Sequence, residues 1–181
     1  MATIVKVIIF SLIITIIGIV AFQFIDPNVA KPNNLVSSLI SENTLSVEIN
    51  GEITTSGTYL IEEGSTLDDL ISLAGGTTSN ADELCYFNNL VLETKSTYYI
   101  APIYDNADVC ANTKITKYNI NNSTSDDLLN IKNVGATIAN NIISYRNEIG
   151  TFNKLEDLLK VNGIGSATFS KIKNFVRLKD E

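Results

Sequence analysis

The chain has 181 residues, two cysteines and no histidine, which leaves room for a membrane segment and one or two small domains but not for a large single-core enzyme. Without histidine there is no Ser-His or Cys-His nucleophile pair, and two cysteines cannot fill a four-ligand zinc site, so no catalytic residue, metal or cofactor is expected. The net charge of −7 argues against a nucleic-acid ligand until its distribution is read: residues 115–181 hold nine Lys/Arg against seven Asp/Glu, a balance of +2, and residues 1–114 hold four against thirteen, a balance of −9.

The first predicted element is the uncharged nineteen-residue run VIIFSLIITIIGIVAFQFI, residues 7–25. At 1.5 Å per residue it makes a helix about 28 Å long, close to the thickness of a bilayer core. A helix apolar on every side needs apolar surroundings on every side, which nothing else in so small a chain supplies. Residues 1–25 are therefore read as a transmembrane anchor in contact with membrane lipid. The run is longer than the roughly 7–15 residues of a signal-peptide core, and no small-x-small site follows closely, which favours an uncleaved anchor. Lys6 before the run and Asp26 after it place the N-terminus in the cytoplasm and the remainder outside the cell membrane, as a single-pass protein. Residues 26–44, with two prolines and no sustained periodicity, read as a linker.

From Leu45 the pattern alternates as LSVEI, and the following Asn50-Gly51 predicts a β-hairpin turn before the extended residues around Tyr59 and Leu60. Ser65 or Thr66 is placed to cap a helix with Asp68 and Asp69 in its first turn and a buried stripe of Leu67, Leu70, Ile71 and Leu73. Gly75-Gly76 ends it. A last extended run, STYYIAPI, completes a small α+β domain, assigned to residues 45–110. Cys85 and Cys110 both fall in the part expected to face an oxidising compartment; the spacing allows either a disulfide between them or two buried thiols. Residues 111–119 read as a second linker.

Residues 120–181 contain a repeat at a spacing of 30. When LLNIKNVGATIANNI, residues 128–142, is laid over LLKVNGIGSATFSKI, residues 158–172, Leu128, Leu129, Ile131, Val134, Gly135 and Ile142 fall on Leu158, Leu159, Val161, Ile164, Gly165 and Ile172. Six coincidences, all at apolar or glycine positions, predict two copies of a helix, a glycine turn and a second helix. Thr124 is placed to cap the first helix, with Asp126 and Asp127 in its opening turn. Ile138, Ile142 and Ile143 mark an apolar face of the next helix, with Phe169, Ile172 and Val176 as counterparts. At the start of the helix after each turn, the amides of Gly135, Ala136 and Thr137 and of Gly165, Ser166 and Ala167 have no intrahelical acceptor and carry partial positive charge. They can cradle phosphate where glycine lets a sugar-phosphate backbone approach. Lys132 and Lys171 lie close to the turns in sequence; Lys160, Lys173, Arg177 and Lys179 read equally well as a solvated surface.

Two resemblances follow from these residues. The run from Val47 to Gly76, with Gly57-x-Tyr59, Gly64-Ser65, Asp69-Leu70-Ile71 and Ala74-Gly75-Gly76, resembles the soluble-ligand-binding β-grasp (SLBB) domain, with Ser56-Gly57 where that family commonly has Pro-Gly. The hydrophobic-x-Gly-hydrophobic-Gly turns resemble helix-hairpin-helix motifs. The tandem pair, with Tyr145-Arg146 before Gly150-Thr151-Phe152, together with the anchor and the SLBB-like domain, resembles the ComEA-type competence DNA receptors. The first turn departs from that family: Asn133 stands where glycine is usual, the non-glycine residue that best tolerates positive φ.

The implied fold class is α+β, with an N-terminal transmembrane helix, a small SLBB-like β-grasp domain and an all-α tandem helix-hairpin-helix domain over residues 120–181. The implied function is sequence-independent capture of double-stranded DNA during natural transformation, with a DNA-translocating channel protein as partner; the acidic SLBB-like domain, which would repel DNA, is left as a spacer, a surface for self-association or a dock for a partner. The expected DNA contacts are Lys132, Asn133, Gly135, Ala136, Thr137, Gly163, Gly165, Ser166, Ala167 and Lys171. Two other readings stay open at this stage: an SLBB-type envelope protein that binds a small ligand or polysaccharide, and a helix-hairpin-helix scaffold for protein partners.

Overall fold

A computed structural model of the chain describes residues 43–105 and 113–181. The expected anchor, almost all of the first linker, and Cys110 fall outside the described residues. Among the described residues no helix is long and apolar enough to cross a membrane.

Strand β1 (Thr44–Gly51) pairs antiparallel with β2 (Gly57–Glu62), from Thr44 opposite Glu62 to Ile49 opposite Gly57. Alternation turns Val47 and Ile49 inward. Asn50-Gly51 is not the hairpin turn that the sequence predicts. Gly51 still belongs to β1, and on the other edge of that strand it faces Ile100 of β3 (Thr97–Ile100), which runs parallel to β1. The sheet order is β2-β1-β3. Gly51 is needed for this approach. Its φ is +92°, and a Cβ there would sit 2.1 Å from the carbonyl oxygen of Ile100. The reversal falls instead in the longer loop before Gly57.

The parallel pairing of β1 and β3 requires a crossover, and helix α1 (Leu67–Leu73) lies within it. Thr66 caps it: its hydroxyl accepts from the amide of Asp69, whose carboxylate accepts in return from the amide of Thr66 at 2.8 Å. The amide and the hydroxyl of Thr66, both donating to that carboxylate, hold the Asp69 carboxyl below its ordinary range. Leu67, Leu70 and Ile71 are buried as expected, but Leu73 is exposed and Ala74 is buried in its place. The spacing i, i+3, i+4, i+7 runs from 67 to 74, and position 73 falls off that stripe. Gly75 and Gly76 both adopt positive φ, and the amide of Gly76 donates to the carbonyl of Ile71 at 2.9 Å, which closes the helix end.

In the C-terminal half, α2 (Ser125–Leu129) and α3 (Ala136–Glu148) flank the first turn, and a 3-10 helix over Leu155–Lys160 and α4 (Ser166–Ile172) flank the second. The opening helix of the second repeat is thus 3-10 rather than α. This half is not all-α. Tyr118–Asn119 pairs in parallel with Val176–Arg177, and the amide of Ile120 donates to the carbonyl of Arg177 at 3.0 Å, so the two ends of the repeat are pinned together. Val176 is buried as expected but from this strand, because a short 3-10 turn over Lys173–Phe175 ends α4 first.

Residues 43–181 form one compact unit. One hydrophobic cluster lies under the β-sheet around Val47, Leu70 and Tyr98; the other fills the hairpin half around Leu128, Ile142, Phe152, Leu158 and Ile172 and also takes in Cys85 and Ala101. Polar ties cross the same seam. Tyr99 donates through its hydroxyl to Oδ1 of Asn174 at 2.8 Å, Lys154 pairs with Glu93 at 2.6 Å, and the amides of Leu178 and Lys179 donate to the carbonyl of Leu84. The ammonium of Lys117, buried, reaches Asp82 at 2.6 Å and Cys85 Sγ at 3.2 Å. Burial pushes the Cys85 thiol up to about 12.

Candidate nucleic-acid interface

The two turns match bond for bond at the spacing of 30. The amides of Ile131 and Val161 donate to Leu128 and Leu158, both at 3.1 Å, and those of Val134 and Ile164 donate to Ile131 and Val161, both at 3.0 Å. The amides of Ala139 and Phe169 donate to Gly135 and Gly165, both at 2.9 Å, which opens α3 and α4. In each turn two apolar residues point inward, Ile131 with Val134 and Val161 with Ile164, all buried. The residues between and after them are exposed: Lys132, Asn133, Gly135, Ala136 and Thr137 in the first copy, Asn162, Gly163, Gly165, Ser166 and Ala167 in the second.

Asn133 and Gly163 hold the same bend. Their φ values are +72° and +88°, so the departure from glycine at position 133 leaves the turn intact. Gly135 and Gly165 differ in kind. Their φ values are −97° and −90°, open to any residue, and a Cβ at either would meet nothing within 4 Å. Among the described residues neither the backbone angle nor a close contact requires glycine at these two positions, and the bare backbone there is exposed.

The starts of α3 and α4 also differ from those of α1, α2 and the 3-10 helix over Leu155–Lys160. α1, α2 and the 3-10 helix over Leu155–Lys160 each have two acidic residues in the first turn, and each is closed by an aspartate carboxylate: Asp69, Asp127 and Asp157. α3 and α4 have no acidic residue in the first turn and no side-chain cap. Their leading amides point to solvent with the positive end of the helix dipole uncompensated. Both helix starts are therefore suited to an external anion.

The cations sort by their partners. Lys154 is tied to Glu93, Lys160 to Asp157 at 2.8 Å, and Arg177 lies beside Asp180 and Glu181. The Lys173 ammonium sits 3.4 Å over the ring of Tyr99, and burial lowers its pKa. Lys179 lies over Tyr86 and Phe87, and Arg146 donates to the carbonyls of Ile120 and Ser123. Lys132 and Lys171 are exposed and take part in no ion pair among the described residues. Lys132 lies in the first turn itself. Lys171 lies in the last turn of α4, four residues after Ala167 and so on the same helix face, with its Cβ inclined toward the start of the helix.

One contact at the site has no signal in the apolar periodicity. Nδ2 of Asn141, on the second turn of α3, donates to the carbonyl of Asn162 in the second hairpin turn at 2.8 Å. Only a comparison of position 141 with its repeat partner, Lys171, marks it out.

A helix-hairpin-helix motif model matches residues 113–177, and an SLBB domain model matches residues 46–84. ComE operon protein 1 of Bacillus subtilis (strain 168) is 32% identical over 148 residues, which cover 77% of this chain and 72% of the relative. Endonuclease/exonuclease/phosphatase family domain-containing protein 1 is similar over a shorter stretch, 40% identical over 57 residues in Xenopus laevis and 37% over 57 residues in Homo sapiens. Those matches span 10% of the relative's length in each case.

Proposed function

The chain belongs to the family of ComE operon protein 1, and on that premise we propose that it is a membrane-anchored receptor that grips double-stranded DNA without reading its sequence, for DNA uptake in natural transformation. The observation that carries this reading is the pair of uncapped, acid-free helix starts at Gly135 and Gly165, exposed glycines with ordinary φ and no close contact among the described residues. Each start presents amides to one phosphodiester backbone, and the repeat of the turn at a fixed spacing suits a grip on both strands. Contacts of this kind carry no base information. Lys132 and Lys171 add charge beside the two seats. The apolar run over residues 7–25 supports a single-pass anchor in the cell membrane, with the hairpins outside and a DNA-translocating channel as the next partner.

Counterion release gives the test. With about four to six phosphates engaged, the logarithm of the affinity for a random-sequence duplex should fall against the logarithm of salt concentration with a slope of about −4 to −5. Titrating full-length chain with a labelled duplex at several salt concentrations measures it. A slope near zero would overturn the phosphate-cradle reading, and a strong preference for one sequence would overturn the claim of indifference to sequence.

A further inference from the structure

The two hairpins are equivalent in their turns but not in the way they are held, and the difference centres on one side chain. Position 141 on α3 corresponds, at the spacing of 30, to position 171 on α4. Lys171 is exposed and free of ion pairs among the described residues, whereas the half-buried Asn141 donates its amide to the carbonyl of Asn162. Asn162 immediately precedes Gly163, the residue that carries the positive φ of the second turn. A Cβ on Gly163 would lie 3.8 Å from Cγ1 of Ile138 and 3.9 Å from Nδ2 of Asn141, so the second turn rests on the side of α3. Asn141 is five residues after Ala136, about 7.5 Å along the helix from the first seat. The same helix is tied to the opening of the first repeat through Arg146, which donates to the carbonyls of Ile120 and Ser123.

We infer that Asn141 is a positioning residue that sets the spacing between the two phosphate seats, so that the grip is matched to the two strands of a duplex. This rests on the proposed function. The tie is directional: α3 donates to the second turn, and Lys171 makes no corresponding bond to the first turn. A side chain of α3 thus adds a directed tie to the second turn, beside the shared apolar core and the bonds between Asn121 and Phe152 in the loop that joins the repeats. Either seat can hold a phosphate without Asn141; both can hold the opposed strands of one duplex only when the second turn is held against α3. Asn141 is thereby a determinant of preference for duplex over single strand.

The test compares the affinities of full-length chain for a duplex of about two helical turns and for a single strand of the same length, in wild type, Asn141→Leu and Asn141→Ser. Leucine keeps the branched outline and loses the donor; serine is too short to reach the carbonyl. For both variants duplex affinity should fall about tenfold, the size expected for one aligned hydrogen bond and its geometric consequence, with single-strand affinity held within about twofold. Circular dichroism should remain that of wild type. A ratio of duplex to single-strand affinity equal to that of wild type in either folded variant would overturn the inference, as would a parallel loss of both affinities. Absence of salt-dependent duplex binding in wild type would instead bring down the proposed function, and this inference with it.

Discussion

Replacing Gly135 and Gly165 together by valine is expected to lower duplex affinity by about 100- to 1,000-fold while the fold survives. The size follows from losing the closest amide-to-phosphate bond at each seat, about 1.5–2 kcal/mol apiece for hydrogen bonds to a charged group. Survival of the fold follows from the geometry of the glycines. Both have φ values open to any residue, both are exposed, and neither would bring a Cβ within 4 Å of another group. The cost inside the chain is only the poorer fit of valine before a helix start, about 1 kcal/mol at each site. Gly163→Val gives the contrast, because there φ is +88° and the second turn is itself distorted. Duplex retention and thermal melting of the same samples measure both effects. Unchanged retention in a folded double variant would show that the helix starts are not the seats; collapse of the fold would show that the glycines serve the chain itself.

The repeat was legible in the sequence because the physics that makes it is local. An apolar pair flanking a bend, followed by a helix start, recurs at a fixed spacing whatever surrounds it, and Ile131, Val134, Val161 and Ile164 are buried where that pattern puts them. The cap at Thr124 and the tolerance of Asn133 for positive φ are local in the same sense. What was not legible depends on groups distant in sequence. Asn50-Gly51 reads as a turn until β3 arrives from about fifty residues away and Gly51 is needed for its approach. Val176 continues a helical stripe until Tyr118 supplies a strand for it to pair with. The seam between the sheet and the hairpins has no motif at all: Cys85 and Ala101 complete the hairpin core, and Asn174 meets Tyr99, through contacts that no periodicity announces.

That seam is the source of the second large effect, which is on stability and depends on pH. Oε1 of Glu156 is buried there without a hydrogen-bond partner among the described residues. Burial raises the carboxyl from 4.5 to about 7, against the lowering effect of the backbone amides of Glu156 and Tyr99 and of Lys154, and with a further raising effect from Asp157. A carboxyl raised in the folded state binds its proton more tightly folded than unfolded. It costs nothing below the unfolded value, and it lowers stability progressively as the pH rises from about 4.5 through about 7, after which the loss is constant. At about 1.36 kcal/mol per pKa unit, Glu156→Gln, neutral throughout, should be more stable than wild type by roughly 2–3 kcal/mol at pH 8 and by little at pH 4.5. Asp82 and Glu93, whose carboxyls are held low, are already ionised across most of this window in both proteins and cancel in the comparison, whereas the Glu156 carboxylate favours the charged form of Lys173, an attraction that the variant gives up. Urea melts at several pH values between 4.5 and 8 measure the difference, and parallel stability curves would show that Glu156 does not titrate as its surroundings require. Glu156 lies in the first turn of the 3-10 helix that leads into the second turn, and neutralising it leaves the seat at the start of α4 unaltered. The variant should therefore hold duplex at pH 8 at least as firmly as wild type.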